Sequence, residues 1–108
     1  MSAPSLSVDK TGDIQVAGDL TLHTVASLIK PGQDAIAQTQ GKMVVDLADV
    51  SRFSSAGVAL ILNWLRAAEA HKVSLMIKNP PADLPAIIEV CDLDAVFEPV
   101  LSGSDLPE

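Results

Sequence analysis

Aromatic residues are scarce in this sequence, and their scarcity limits how its interior can be built. Aromatic side chains make up 3% of the chain, with no tyrosine, whereas hydrophobic residues of all kinds make up 48%. Such an interior must depend on aliphatic side chains, which favours helices packed on a sheet. A chain of 108 residues supports one compact domain. We therefore expect a single domain over 1–108, with its core within about 5–99 and a loose tail over 100–108.

Basic residues are also few, and this excludes several kinds of partner. Seven Lys and Arg stand against fourteen Asp and Glu, which gives a formal net charge of −7. Nucleic-acid binding needs clustered cations, so nucleic acid is not an expected partner. An anionic lipid leaflet would repel the chain, and the longest apolar run, Val58 to Leu62, is too short to span a bilayer. We expect no direct membrane insertion, and association with the inner membrane only through another protein.

The sequence contains only one cysteine, and its first residues do not resemble a secretory signal. The single cysteine, Cys91, cannot form an internal disulfide, and residues 1–4 lack the basic and apolar stretches of a secretory signal. Both observations predict a cytoplasmic protein. Cys91 follows an apolar helical pattern, and we interpret it as a small core residue.

The patterns of catalytic and metal sites are missing as well. The six glycines are dispersed and form no phosphate-binding loop, and no serine lies in a nucleophile elbow. His23, His71 and Cys91 are far apart with no pair at ligand spacing, and His71 is interpreted as a helix-terminal residue. We therefore predict no catalytic residue, no cofactor and no metal, and a protein that is not an enzyme.

The first third of the chain predicts a hairpin and a helix. Apolar residues alternate with polar ones over 6–8 and 14–16, on either side of a turn signal at 11–13. Helical spacing follows from Leu22, with Thr21 as a candidate cap. Pro31-Gly32 is expected to kink or divide this helix, which then resumes over 34–38.

The remainder predicts alternating strands and helices. Residues 43–45 resemble a strand buried on both faces, followed by a loop over 47–53 and a helix from Ser54-Ser55 to about His71. Further elements are a strand over 73–77, a turn over 79–81, a helix over 83–91 and a last short strand at 96–97. This order predicts an α/β fold, in which a mostly parallel mixed sheet of about four or five strands packs against three or four helices.

Ser55 is the most informative polar residue, because it lies where a loop meets a helix. We expect the free N–H groups of Ala56, Gly57 and Val58 to point toward its hydroxyl. A phosphate on Ser55 would be stabilised there and would change the charge of the surface. From position alone, simple capping of the helix by Ser55 is the favoured interpretation.

The same helix carries two apolar stripes. One stripe consists of Val58, Ile61, Leu62 and Leu65, and the nearly opposite one of Leu60, Trp64, Ala67 and His71. A helix packed on one sheet needs only one stripe, so the second is either covered by another element or offered to a partner. We favour the partner, because tryptophan is a frequent hot-spot residue at interfaces.

The segment 44–58, VVDLADVSRFSSAGV, resembles the STAS family, and the likeness extends from about Ile14 to Phe97. That family includes bacterial anti-sigma-factor antagonists, sulfate-transporter tails and lipid-transport subunits. The resemblance implies that the chain has a STAS fold and acts by binding another protein. Residues 58–66 and 79–84 are most similar to the MlaB-type subunits of Mla phospholipid ABC transporters, which bind the transporter's ATPase and help maintain lipid asymmetry.

The resemblance also implies a partner surface at the helix start. Its expected members are Arg52, Phe53, Ser54, Ser55, Ala56, Gly57, Leu60 and Trp64. In the alternative reading the chain is an anti-sigma-factor antagonist, Ser55 is the phospho-acceptor, and the partner is an anti-sigma factor or serine kinase. In that family an acidic residue usually precedes the acceptor, and in this sequence Ser54 occupies that position.

Overall fold

Four strands and four helices alternate in a computed structural model that describes residues 3–102. In chain order they are β1 (Ser5–Val8), β2 (Ile14–Leu20), α1 (Ala26–Ala37), β3 (Lys42–Phe53), α2 (Ser55–Ala70), β4 (Ser74–Lys78), α3 (Leu84–Val90) and α4 (Asp94–Ser102). The strands form one sheet in the order β1-β2-β3-β4. The predicted α/β class, with a mostly parallel mixed sheet, is confirmed.

The predicted hairpin is present at the start of the chain. β1 pairs antiparallel with β2, and Val8 lies opposite Ile14. Asp9 holds the turn, because its Oδ1 accepts hydrogen bonds from the Thr11 amide at 2.8 Å and the Asp13 amide at 3.1 Å. The other two strand pairs are parallel. Their crossovers contain α1 and α2, as the connection rule for parallel strands requires.

β3 differs from its prediction in length and in burial. It continues beside β2 as far as Phe53, which lies opposite Leu20, so the expected loop over 47–53 is wrong. Val45 and Leu47 are buried, whereas Val44 and Asp46 are half-buried. One face of this strand therefore packs on the core, and the expectation of burial on both faces is wrong. The extra length carries the chain directly to the first turn of α2.

α1 begins later than predicted and is not divided. Thr24 holds the preceding turn, since its Oγ1 accepts from the Thr21 amide at 2.8 Å and donates to the Asp19 carbonyl at 2.6 Å. The helix then begins at Ala26, without a side-chain cap, so Thr21 is not its cap. Pro31 lies inside one continuous helix, which buries Leu28, Gly32 and Ile36. Packing along this whole face holds the helix together despite the bond that Pro31 cannot donate.

The last part of the chain also departs from its prediction. Residues 96–97 belong to α4 and not to a strand, and this helix buries Phe97 and Val100 three residues apart. Cys91 is exposed at the end of α3, so its interpretation as a core residue is wrong. The strand near 73–77, the turn after it and the helix near 83–91 are confirmed as β4, a turn and α3. Most of the expected tail, 103–108, lies outside the described residues.

One apolar core lies between the sheet and the helices. Its completely buried members include Ile14 from β2, Met43 from β3, Ile61 and Trp64 from α2, and Phe97 from α4. Within residues 3–102, every helix is too short or too polar to cross a membrane.

Candidate partner-binding site

Ser54, and not Ser55, caps α2. Its backbone is extended, and its Oγ accepts a hydrogen bond from the Ala56 amide at 3.1 Å. The Ser54 carbonyl accepts from the amides of Gly57 at 2.9 Å and Val58 at 3.3 Å. The three N–H groups expected to face Ser55 are therefore bonded to Ser54, and that expectation is wrong. Capping by Ser55, the interpretation that position alone favoured, is wrong as well.

Ser54 also joins the start of α2 to the end of β2. Its amide donates to the Leu20 carbonyl at 3.1 Å, and its hydroxyl lies 3.3 Å from the same oxygen. Leu22 follows two residues later in the turn before α1, and 77% of its side chain is exposed. The turn that contains Leu22 thus follows directly after the strand residue to which Ser54 is bonded.

On its other side, Ser55 faces α3. A shallow depression of about 360 Å³ lies between them and is lined by Ser55, Ala86, Ile87, Val90 and Cys91. Val90 is 84% exposed, the highest value among the exposed large hydrophobic residues described. We call the surface formed by Ser55, Ala86, Ile87, Val90 and Cys91 the Ser55 patch. The start of α2 and the end of α3, which are distant in sequence, therefore meet beside one exposed hydroxyl.

Phe53 and Gly57 pack against each other at the start of α2. Phe53 is only 8% exposed, and its Cε1 would lie 2.6 Å from a Cβ added at Gly57. The aromatic ring thus needs a glycine at this point of α2. Of the other predicted contact residues, Arg52 is exposed, whereas Ala56 is half-buried. Phe53 is buried and Gly57 has no side chain, so neither offers a side chain for contact with a partner.

Trp64 and Leu60 lie in the interior, at 0% and 2% exposure. The indole packs against Gly32 of α1, where an added Cβ would collide with it, and its Nε1 donates to the Ile29 carbonyl at 3.3 Å. The expectation that the second apolar stripe of α2 faces a partner is therefore wrong at these positions, because α1 covers it. A glycine inside a helical pattern was the available signal, since it permits close approach of another element.

Exposed acidic residues occur on α3 and at both of its ends. Glu89 and Asp92 are exposed next to Val90 and Cys91, and Asp83 is exposed just before α3. No group of three or more His, Cys, Asp or Glu residues that could hold a metal ion occurs within 3–102. The surface around Ser55 is largely apolar and exposed, which suits contact with a protein surface.

Asp46 connects β3 to the segment that leads into α3. Its Oδ1 accepts hydrogen bonds from the Asn79 amide group at 3.1 Å and the Ala48 amide at 2.9 Å. These bonds, with a smaller attraction from Lys78, hold the pKa of the carboxyl below its usual value, although partial burial acts in the opposite direction. Asn79 has φ of 55° and begins the turn toward α3. The sequence alone did not reveal this connection.

The sequence matches the family model described as "Mlab, STAS domain" over residues 6–102. A comparison with curated protein sequences found no match.

Solved structures of similar fold include anti-sigma factor antagonists. One is SpoIIAA in its unphosphorylated form, with 22% identity, coverage of 81% of this chain and 82% of that chain, and a TM-score of 0.62. The phosphorylated form from Bacillus has 22% identity, 86% coverage of each chain and a TM-score of 0.64. A STAS protein from Planctomyces limnophilus has 12% identity, covers 88% of this chain and 86% of its own, and has a TM-score of 0.64. At these identities the likeness concerns the fold.

Proposed function

The chain belongs to the MlaB-type STAS family, and we propose that it is a non-enzymatic accessory subunit that binds the ATPase of a phospholipid ABC transporter. STAS domains are protein-interaction modules, and the family match covers most of the chain. The subunit would work on the cytoplasmic side of the inner membrane and be held there by its partner. Through the ATPase it would support lipid transport and so the lipid asymmetry of the outer membrane.

The Ser55 patch carries this proposal. Four large hydrophobic residues are exposed among those described, and the most exposed of them, Val90, belongs to this patch. Interfaces commonly combine a desolvated apolar centre with a polar rim. Here Ser55 would lie near the centre, and contact with the ATPase would cover Val90. The proposed contact keeps the predicted Ser55 but replaces Leu60 and Trp64 with residues of α3.

The negative charge of the chain indicates which charges the ATPase surface should carry. Glu89 and Asp92 are exposed near the end of α3, and the chain has a net charge of −7. Electrostatic complementarity then requires Lys or Arg residues around an apolar centre on the ATPase. We expect association to slow as the salt concentration rises, because screening weakens this attraction.

Binding to the co-expressed ATPase tests the proposal directly. We expect Val90→Asp and Ser55→Asp each to weaken binding by at least about tenfold, because a charge must be buried in an apolar contact. Ser55→Ala removes only a hydroxyl and should weaken binding less. Affinity is measured by titration of the purified proteins.

Val8→Asp is the matched control. Val8 is 51% exposed at the end of β1, beside the start of β2, whereas the Ser55 patch adjoins the end of β2. β2 spans seven residues, so the two sites are about 20 Å apart. This variant should bind normally. Equal affinity of Val8→Asp and Val90→Asp would remove the patch from the interface, and a chain that never binds the ATPase would contradict the proposed partner.

An anti-sigma-factor antagonist remains the second candidate, and the Ser55 hydroxyl favours it. Ser55 is exposed, and among residues 3–102 its hydroxyl has no hydrogen-bond partner, because Ser54 provides the cap. A kinase could therefore reach it without disturbing α2. Purification of the tagged chain from its native cells, with mass spectrometry of Ser55, separates the candidates. An ABC ATPase with unmodified Ser55 supports the first, and a serine kinase with phosphate on Ser55 supports the second.

A further inference from the structure

A second apolar surface lies between α2 and α4, away from the Ser55 patch. This α2–α4 groove has a volume of about 450 Å³ and is lined by Leu62, Leu65, Arg66, Glu69, Leu93 and Val96. Leu62, Leu65 and Leu93 are half-buried, and Val96 is 45% exposed. Leu62 follows Ser55 by seven residues on α2, so the nearest edge of the groove is about 10 Å along the helix from Ser55.

The groove carries two opposite charges that have no partner within the described chain. Arg66 and Glu69 are both exposed on α2. Within residues 3–102 the ion pair at the surface is Lys30–Asp34 on α1, at 3.2 Å, and neither Arg66 nor Glu69 takes part in one. Glu69 follows Arg66 by three positions, which corresponds to about 4.5 Å along the helix axis. The apolar groove is thus bordered by one cation and one anion in a fixed order.

We propose that the α2–α4 groove binds the same groove of a second copy of this chain, across a two-fold axis. In such an isologous contact the two α2 helices are related by reversal, so Arg66 of each copy meets Glu69 of the other. The apolar residues of the two grooves then cover one another. A partner surface with charges of one sign would place a like charge against either Arg66 or Glu69. A second copy pairs both, and this inference does not depend on the proposed function.

Charge reversal provides the test, with self-association of the purified full chain measured by sedimentation equilibrium. The buffer should contain about 0.15 M salt, because the net charge of −7 opposes association and must be screened. We expect a concentration-dependent dimer. Arg66→Glu alone and Glu69→Arg alone should each weaken it by at least about tenfold, because each creates two like-charge contacts. The double variant, R66E with E69R, should restore it.

Lys10→Glu is the matched control. It changes the net charge by the same amount as Arg66→Glu, but Lys10 lies in the loop between β1 and β2 and does not line the groove. This variant should dimerise nearly as the unmodified chain does. A chain that stays monomeric would overturn the proposal and leave the groove to a different protein. The proposal would also be overturned if either single reversal left the dimer affinity unchanged, or if the double variant did not restore it.

Discussion

The middle of α2 and its first turn use apolar side chains in opposite ways. In the middle, the large Trp64 is completely buried, because Gly32 of α1 leaves room for the indole. Beside the first turn, the smaller Val90 of α3 remains exposed next to Ser55. Residue type alone therefore does not identify a partner surface. What decides is whether another element of the same chain covers the side chain.

Substitution of Trp64 should have the largest effect on stability. Trp64→Ala leaves a large cavity between α1 and α2 and should lower the free energy of unfolding by about 3–5 kcal/mol. Urea unfolding followed by circular dichroism measures this change. Val90→Ala is the comparison variant and should change stability by no more than about 0.5 kcal/mol, since its side chain is exposed. Equal effects of the two variants would contradict the contrast between the two regions.

Much of the fold follows from local patterns. The hairpin was predicted from alternation on both sides of a turn, and α2 from two serines before a long apolar helix. Residues 96–97 were misassigned, because a short apolar pair fits a strand or a helix and only packing of Phe97 and Val100 in the core decides. The division expected at Pro31 failed for a similar reason. Contacts with α2 stabilise α1 as one helix, and the sequence of α1 does not contain them.

The candidate site was only partly accessible to the same reasoning. The importance of Ser55 came from the family resemblance and from its place at the helix start, whereas the cap itself proved to be Ser54. Trp64 was misjudged, because periodicity gives the face of a residue but not the element packed on that face. Val90 could not be predicted, since its exposure depends on how α3 lies against the first turn of α2.

The two serines at the first turn permit a finer comparison. Ser54→Ala removes the side chain that accepts from the Ala56 amide and should lower the free energy of unfolding by about 1 kcal/mol. Ser55→Ala should change it by less than about 0.5 kcal/mol, because Ser55 is exposed and does not cap the helix. Chemical unfolding of both variants measures the difference. A larger loss for Ser55→Ala would mean that Ser55 is the cap.

The smallest expected effect concerns the connection between β3 and the segment that carries Val90. Asp46 accepts hydrogen bonds from Asn79 and Ala48, which lower its pKa in the folded protein below the ordinary value of 3.8. Its charge therefore stabilises the fold above about pH 4, and this contribution is lost as the pH falls through the lowered pKa. Asp46→Asn should lower the free energy of unfolding by up to about 1 kcal/mol at pH 7, because the site is close to solvent. The variant and the unmodified chain should converge in acid, where Asp46 is protonated.

Unfolding curves recorded between pH 7 and pH 2.5 measure this convergence, with Asp49→Asn, at an exposed position of the same strand, as the control. A difference between Asp46→Asn and the unmodified chain that persists unchanged in acid would mean that the charge of Asp46 contributes nothing to this connection.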